Sequence, residues 1–252
     1  MSKLDKNLRD GYFTSSQISR LCASLKSGLP SSAFYTYVEE TYYSIMLGRP
    51  LGVEIKTVPI KWGQLMECVL FDMVGLEYTM QHKNTIASKT LQRHSGTPDL
   101  EQKGVKVGEI KCYYPKKFAE LSLCLMKKDV DLLRKSFPSE YWQCISNAIL
   151  TGVDTAELLC FMPTKENLIK VIEEVNNEDL LERNGLNLAD YYFMSTEGKL
   201  IEDIIESLPY LPEAAKLESV NTFEFKVPQA DKEFLIDRVT LAQIELEKLL
   251  KS

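Results

Sequence analysis

The sequence holds only two histidines, His82 and His94, and its six cysteines include no C-x-x-C pair. Zinc and iron–sulfur sites need soft ligands at short, repeated spacings, so none is expected. Cys22, Cys68, Cys112, Cys124, Cys144 and Cys160 are scattered, most of them through apolar stretches such as Leu158-Leu159-Cys160-Phe161, and read as small reduced core residues. No apolar run approaches the roughly 18 residues of a membrane span, and Met1 to Asp10 is polar, unlike a signal peptide. A cytoplasmic protein without a membrane partner is expected. Repeats, low-complexity segments and long Pro/Gly/Ser linkers are missing too, which favours one domain. The 252 residues are 44% hydrophobic and 26% charged, enough for a sizeable core and unlike a disordered chain. Against 36 Asp and Glu stand 30 Lys and Arg, a net charge of −6, which excludes a uniformly basic nucleic-acid coat.

That net charge conceals an asymmetry. Residues 1–80 carry 8 basic and 8 acidic groups, residues 81–135 carry 12 and 6, and residues 136–252 carry 10 and 22. The middle block, net +6, is a candidate anion-facing region, although a solvated lysine face has the same composition.

Periodicity places helices over a segment from Thr14-Ser15-Ser16 to Leu25, from Pro30-Ser31-Ser32 to Leu47, and from Trp62 to Val74. A short strand is predicted over Val105 to Cys112, with Thr90 to Asp99 as the other arm of an irregular hairpin. Helix follows over Phe118 to Leu150 with a break near Pro138. A buried strand runs from Ala156 to Met162, helix from Lys165 to Val175, a strand from Thr222 to Val227, and a last helix from Gln229 to Leu250. The stripe Leu235, Val239, Ala242, Leu246 and Leu249 on that helix suits packing on the chain's own sheet better than pairing between subunits. The fold class is α/β, a small mixed central β-sheet flanked by helices.

Ser95-Gly96-Thr97-Pro98-Asp99, followed ten residues after the aspartate by Glu109-Ile110-Lys111, carries the chemistry. Alternation along a strand puts Glu109 and Lys111 on one side and Ile110 in the core, and an aspartate at the hairpin turn can close on the same side. Asp99, Glu109 and the Ile110 carbonyl are hard oxygen donors of the kind Mg²⁺ takes while keeping waters. Lys111 would touch a metal-held water, an arrangement for phosphodiester hydrolysis. Read alone, the same residues also describe an exposed hairpin whose Glu and Lys pair across water. Gly63 and Glu67 lie one helical turn apart and add a carboxylate beside a close backbone approach, and Gln143 in Tyr141-Trp142-Gln143 adds an amide.

Gly63-x-x-x-Glu67, Pro98-Asp99, Glu109-Ile110-Lys111 and Tyr141-x-Gln143, in that order, resemble the PD-(D/E)xK nuclease superfamily and, within it, the YqaJ-type viral recombinases related to lambda exonuclease. Leu8-Arg9-Asp10-Gly11-Tyr12-Phe13-Thr14-Ser15-Ser16 resembles the segment with which that group holds a 5′-terminal phosphate. The resemblance spans residues 8–163. It departs at Leu100, where the family often has Gly, and at Ile145, where a second glutamine is common.

The resemblance implies a restriction-endonuclease-like core, with a helical segment over 1–50, a catalytic core over 51–163 and a C-terminal strand and helices over 164–252. It implies a Mg²⁺-dependent 5′–3′ exonuclease on linear double-stranded DNA, with Mn²⁺ able to substitute. Asp99, Glu109, Ile110 and Glu67 would serve the metals, Lys111 and Gln143 the attacking water, and Arg9 with Ser16 the 5′-phosphate. Lys103, Lys106, Lys116 and Lys117 are expected along the DNA backbone. A single-strand annealing protein as partner, a ring-like homotrimer and a phage or prophage origin in a bacterial cytoplasm complete the expectation. Its competitors are an endonuclease of the same superfamily, an inactive DNA-binding or assembly module, and an interaction protein whose acidic half binds a partner.

Overall fold

The computed structural model describes residues 10–52, 57–75, 77–80 and 84–252. The chain opens with β1 (Phe13–Thr14), a 3₁₀ turn at Ser15–Gln17, the short helix α1 (Ser19–Cys22) and helix α2 (Ser32–Leu47). Gly48, at φ 61°, ends α2. Helix α3 (Val58–Val74) starts four residues earlier than periodicity predicts, because Pro59 is accommodated in its first turn, where no amide partner is needed.

Strands β2 (Thr79–Met80), β3 (Ile86–Ala87), β4 (His94–Gly96), β5 (Leu100–Gln102) and β6 (Lys106–Lys111) follow. The hairpin forms with a different arm from the one expected. The arm paired with β6 is β5, in register Leu100↔Gly108, whereas β4 lies in a separate sheet between β1 and β3. Asp99 therefore sits at the crossing from one sheet to the other, not at the hairpin turn.

Three helices, α4 (Pro115–Leu125), α5 (Val130–Ser136) and α6 (Pro138–Thr151), fill the stretch predicted as helix with one break. The Asp129 side chain caps α5 through Leu132 N, and Pro138 opens α6. Then come β7 (Thr155–Phe161), α7 (Lys165–Asn176), α8 (Asp179–Asn184), a 3₁₀ segment at Leu188–Met194, α9 (Ile201–Ser207), β8 (Val220–Lys226) and α10 (Gln229–Lys251). The larger sheet has the order β2-β5-β6-β7-β8 and is mixed: β6 and β7 run parallel, their neighbours antiparallel. The helices α4 to α6 form the long connection that a parallel pair requires.

Alternation along β6 and β7 separates two cores. Val107, Ala156, Leu158 and Cys160 face α6 and α10, while Ile110, Leu159 and Phe161 face α3 and α7. Leu235, Val239, Ala242 and Leu246 of α10 are buried in the first core, so the stripe packs on its own fold. The acidic C-terminal region is an outer layer. Leu180, Leu181, Tyr191, Met194, Ile204 and Ile205 enter the second core, while Glu182, Glu202, Asp203 and Glu206 stay exposed. All six cysteines are buried, and none is in a disulfide.

Candidate active site

At the C-terminal end of β6 the two sheets and helices α2, α3 and α6 border a cleft of about 1410 Å³. Parallel-sheet strands end there, and side chains from both sheet faces can reach it.

Strand geometry sets the centre. Lys111 Nζ lies 2.6 Å from Glu109 Oε1, as two side chains on one strand face should, and Ile110 is fully buried on the other face. Asp99 reaches across from the sheet crossing, its Oδ2 accepting from Ile110 N at 2.8 Å. Helix α6 covers the pair from the Glu109 side. Its Gln143 Oε1 accepts from Lys111 at 3.2 Å, and one turn later Asn147 Nδ2 donates to Glu109 Oε2 at 2.9 Å. Both oxygens of Glu109 are thus held by different donors, and the residue is only 2% exposed.

Electrostatics at this end of the strand are crowded with negative charge. Burial, then the Asp99 carboxylate, pushes Glu109 well above the usual carboxylate range against the pull of Lys111. Burial and the same aspartate raise Glu67 to about 8. Burial alone would favour loss of the Lys111 proton, yet Glu109 and Asp99 hold it well above the ordinary lysine value, as an ammonium.

Asp99, Glu67, Glu109, Lys111 and Gln143 all line the cleft. Among the described residues no three His, Cys, Asp or Glu side chains form a finished metal cage. Asp99, Glu109 and the Ile110 carbonyl nevertheless fit a hard divalent cation that keeps several of its waters, with Glu67 as a further carboxylate. Burial and, after it, the Asp99 charge raise both Glu67 and Glu109, and a positive charge among them would offset the Asp99 part.

The N-terminal segment borders the same cleft. Ser16 is exposed on the 3₁₀ turn and lines it, whereas Arg9 lies outside the described residues. Gly96 leaves room for that turn, because a Cβ there would stand 2.1 Å from Ser15 Oγ. Behind it Ser15 Oγ and Ser146 Oγ are 2.7 Å apart and Ser146 Oγ is 2.8 Å from His94 Nε2, all buried. Gly63 is less constrained than its spacing implies: a Cβ would meet Cys112 O at 3.5 Å, an ordinary contact.

The lysines expected along DNA do not line this cleft. Lys106 is held at 2.8 Å by both Glu157 and Glu224, and Lys117 lies 2.8 Å from Glu140 and over the Tyr113 ring. Lys103 and Lys116 are exposed elsewhere, Lys116 beside Glu120. Among the middle block's cations, Lys106, Lys117 and Arg134 pair with carboxylates of the acidic third of the chain, which residue counts along a sequence do not reveal. The described cleft-lining residues are instead acidic: Arg20 and Lys111 face Asp10, Glu40, Glu67, Asp99 and Glu109. Asn147, which grips Glu109, is the site residue that motif reasoning passes over; its spacing of four from Gln143 on a helix is the signal available for it.

No family model matches the sequence, and no curated protein matches it. Solved structures do match. An alkaline exonuclease from Laribacter hongkongensis superposes with TM-score 0.62 at 13% identity, over 99% of this chain and 95% of the other. The same enzyme in complex with dAMP gives TM-score 0.61 at 13% identity, again over 99% and 95%. A phage-related exonuclease from Haemophilus somnus gives TM-score 0.59 at 14% identity, over 98% of each chain. With two mixed sheets flanked by helices, the described residues have the fold of these exonucleases.

Proposed function

We propose that the chain is a metal-dependent deoxyribonuclease that degrades linear double-stranded DNA from its 5′ ends, with Mg²⁺ or Mn²⁺ as the cation. The observation that carries this reading is the Asp99, Glu109, Lys111 and Gln143 cluster at the open end of β6, in a fold shared with exonucleases. Asp99, Glu109 and the Ile110 carbonyl would hold the cation, with Glu67 supporting a second directly or through water. Such a cation, when bound, acidifies a water and offsets charge on the phosphate.

The protein groups then have distinct tasks. Lys111 orients the attacking water by donating a hydrogen bond from its ammonium. Gln143 fixes the ammonium through its amide oxygen, leaving its NH₂ for a water or a phosphate oxygen. Asn147 holds Glu109 Oε2 and so sets the carboxylate's orientation. Ser16, with Arg9, is proposed for the 5′-phosphate; Lys103 and Lys116 would meet a duplex only outside the cleft. A ring-like homotrimer, a single-strand annealing partner and a phage-encoded protein in a bacterial cytoplasm belong to the same reading.

The test is incubation of linear duplexes with 5′-phosphate or 5′-hydroxyl ends and Mg²⁺, comparing the wild type with Lys111→Ala. Shortening from 5′ ends that the variant loses supports the reading; nicking of covalently closed circles moves it to an endonuclease. No cleavage of any substrate leaves the inactive DNA-binding module.

A further inference from the structure

Among the described residues that line the cleft, Lys111 and Arg20 are the two cations. Lys111 is committed to Glu109 and Gln143. Arg20 is held differently. Its Nη1 lies 2.6 Å from Glu40 Oε2, a pair that is partly exposed, with side chains 28% and 43% accessible. Its guanidinium carbon also sits 4.7 Å from the centroid of the Tyr37 ring. Tyr37 is buried, and its hydroxyl accepts from Thr14 N at 2.9 Å. Thr14 Oγ1 is in turn 3.4 Å from Ser16 Oγ. Two hydroxyls of the cleft wall and one guanidinium are thereby organised around a single buried ring.

This arrangement suits exchange of one anion for another. A partly exposed ion pair is screened by water and contributes little, so Glu40 is displaced at little cost. The Tyr37 ring keeps its hold on the guanidinium plane when Glu40 leaves, which preserves the orientation of the fork. A phosphate offers that fork two oxygens, and the Thr14 and Ser16 hydroxyls can donate to others.

We propose that Arg20 takes a nucleic-acid phosphate in the cleft, and that Glu40 is the counter-ion this phosphate must displace. The proposal rests on the nuclease reading only for the identity of the ligand as a DNA strand. Because Glu40 remains nearby after displacement, it opposes every phosphate that enters, and the two residues act in opposite directions.

Two measurements test this on the full chain: binding of deoxyadenosine 5′-monophosphate by titration calorimetry with Mg²⁺, and KM on duplexes with 5′-phosphate or 5′-hydroxyl ends between low and moderate salt. Arg20→Ala is expected to weaken binding and raise KM about tenfold, the size of one charge-assisted hydrogen bond, with Arg20→Lys recovering part. The slope of log KM against log salt should shrink by about one. Glu40→Gln is expected to tighten binding and lower KM. Loss confined to the mononucleotide and the 5′-phosphorylated duplex identifies a terminal phosphomonoester as the ligand; equal loss on the 5′-hydroxyl duplex identifies a backbone diester. Both variants weakening alike, or neither changing KM or affinity, overturns the proposal and leaves the pair a structural contact. A wild type that binds neither probe overturns it as well. If no duplex is cut yet mononucleotide affinity still moves in opposite directions, the nuclease reading fails and the role of Arg20 stands.

Discussion

Asn147 donates to Glu109 Oε2 at 2.9 Å, while Gln143, one turn before it on α6, accepts from Lys111 at 3.2 Å. One helix face therefore grips a carboxylate and its ammonium with groups of matching polarity. Asn147→Leu removes the grip, and Asn147→Asp sets a second buried carboxylate against the first. Either should lower the rate of DNA degradation roughly 10–100-fold and raise the Mg²⁺ needed for half-maximal rate. Rates across a Mg²⁺ series check this; an unchanged Mg²⁺ dependence in both variants counts against it.

Lys111→Ala should reduce the rate about 100-fold or more, since a donor aimed at developing charge is lost. Its effect should sit in kcat rather than KM. Because the residue serves as an ammonium, Lys111→Arg should retain more activity than Lys111→Ala, and single-turnover rates would show it.

Metal removal should change how stability responds to pH. Glu67 rises from 4.5 to about 8 on folding, so the folded state binds more protons than the unfolded one between those values. Stability of the chelated protein should then fall as pH climbs through that window. His94 acts from the other side: burial lowers it from 6.5 to about 4, and stability falls as pH drops through that range. Thermal melts with EDTA and with Mg²⁺ should show a larger Mg²⁺ shift at pH 8 than at pH 6. Equal shifts at both would argue against a cation among these carboxylates.

Gly96→Ala should destabilise by roughly 1–3 kcal/mol, because its Cβ would stand 2.1 Å from Ser15 Oγ and 2.7 Å from Leu150 Cδ1 in a packed region. Gly63→Ala, with its nearest neighbour at 3.5 Å, should be tolerated. Denaturant midpoints of the two variants separate the cases.

Lys106→Met should cost stability and leave KM for DNA unchanged. Lys106 holds Glu157, which is 9% exposed, and stands away from the cleft. The Tyr78 hydroxyl still donates to Glu157, but a nearly buried carboxylate that loses its cation costs roughly 1–3 kcal/mol or more. A raised KM would return this lysine to the DNA path.

The chemistry of the centre is legible in the sequence because it rests on local rules. Strand alternation alone places Glu109 and Lys111 together with Ile110 opposite, and helical spacing alone puts Glu67 a turn beyond Gly63. The α/β class, the buried cysteines and the helix ends at Gly48 and Pro138 follow from equally short-range preferences. Pairing between distant segments does not follow from such rules. That Leu100 and not Thr90 to Asp99 pairs with β6, that Asn147 meets Glu109, and that Lys106 is held by Glu157 and Glu224 depend on which surfaces pack. Charge illustrates the division most clearly. Residue order fixes how many cations the middle block holds; packing alone brings Lys106, Lys117 and Arg134 against carboxylates of the C-terminal third and leaves the charged residues described along the cleft mainly acidic. Ion pairing is a matter of distance in space, and residues far apart in the chain become neighbours only once the cores have packed.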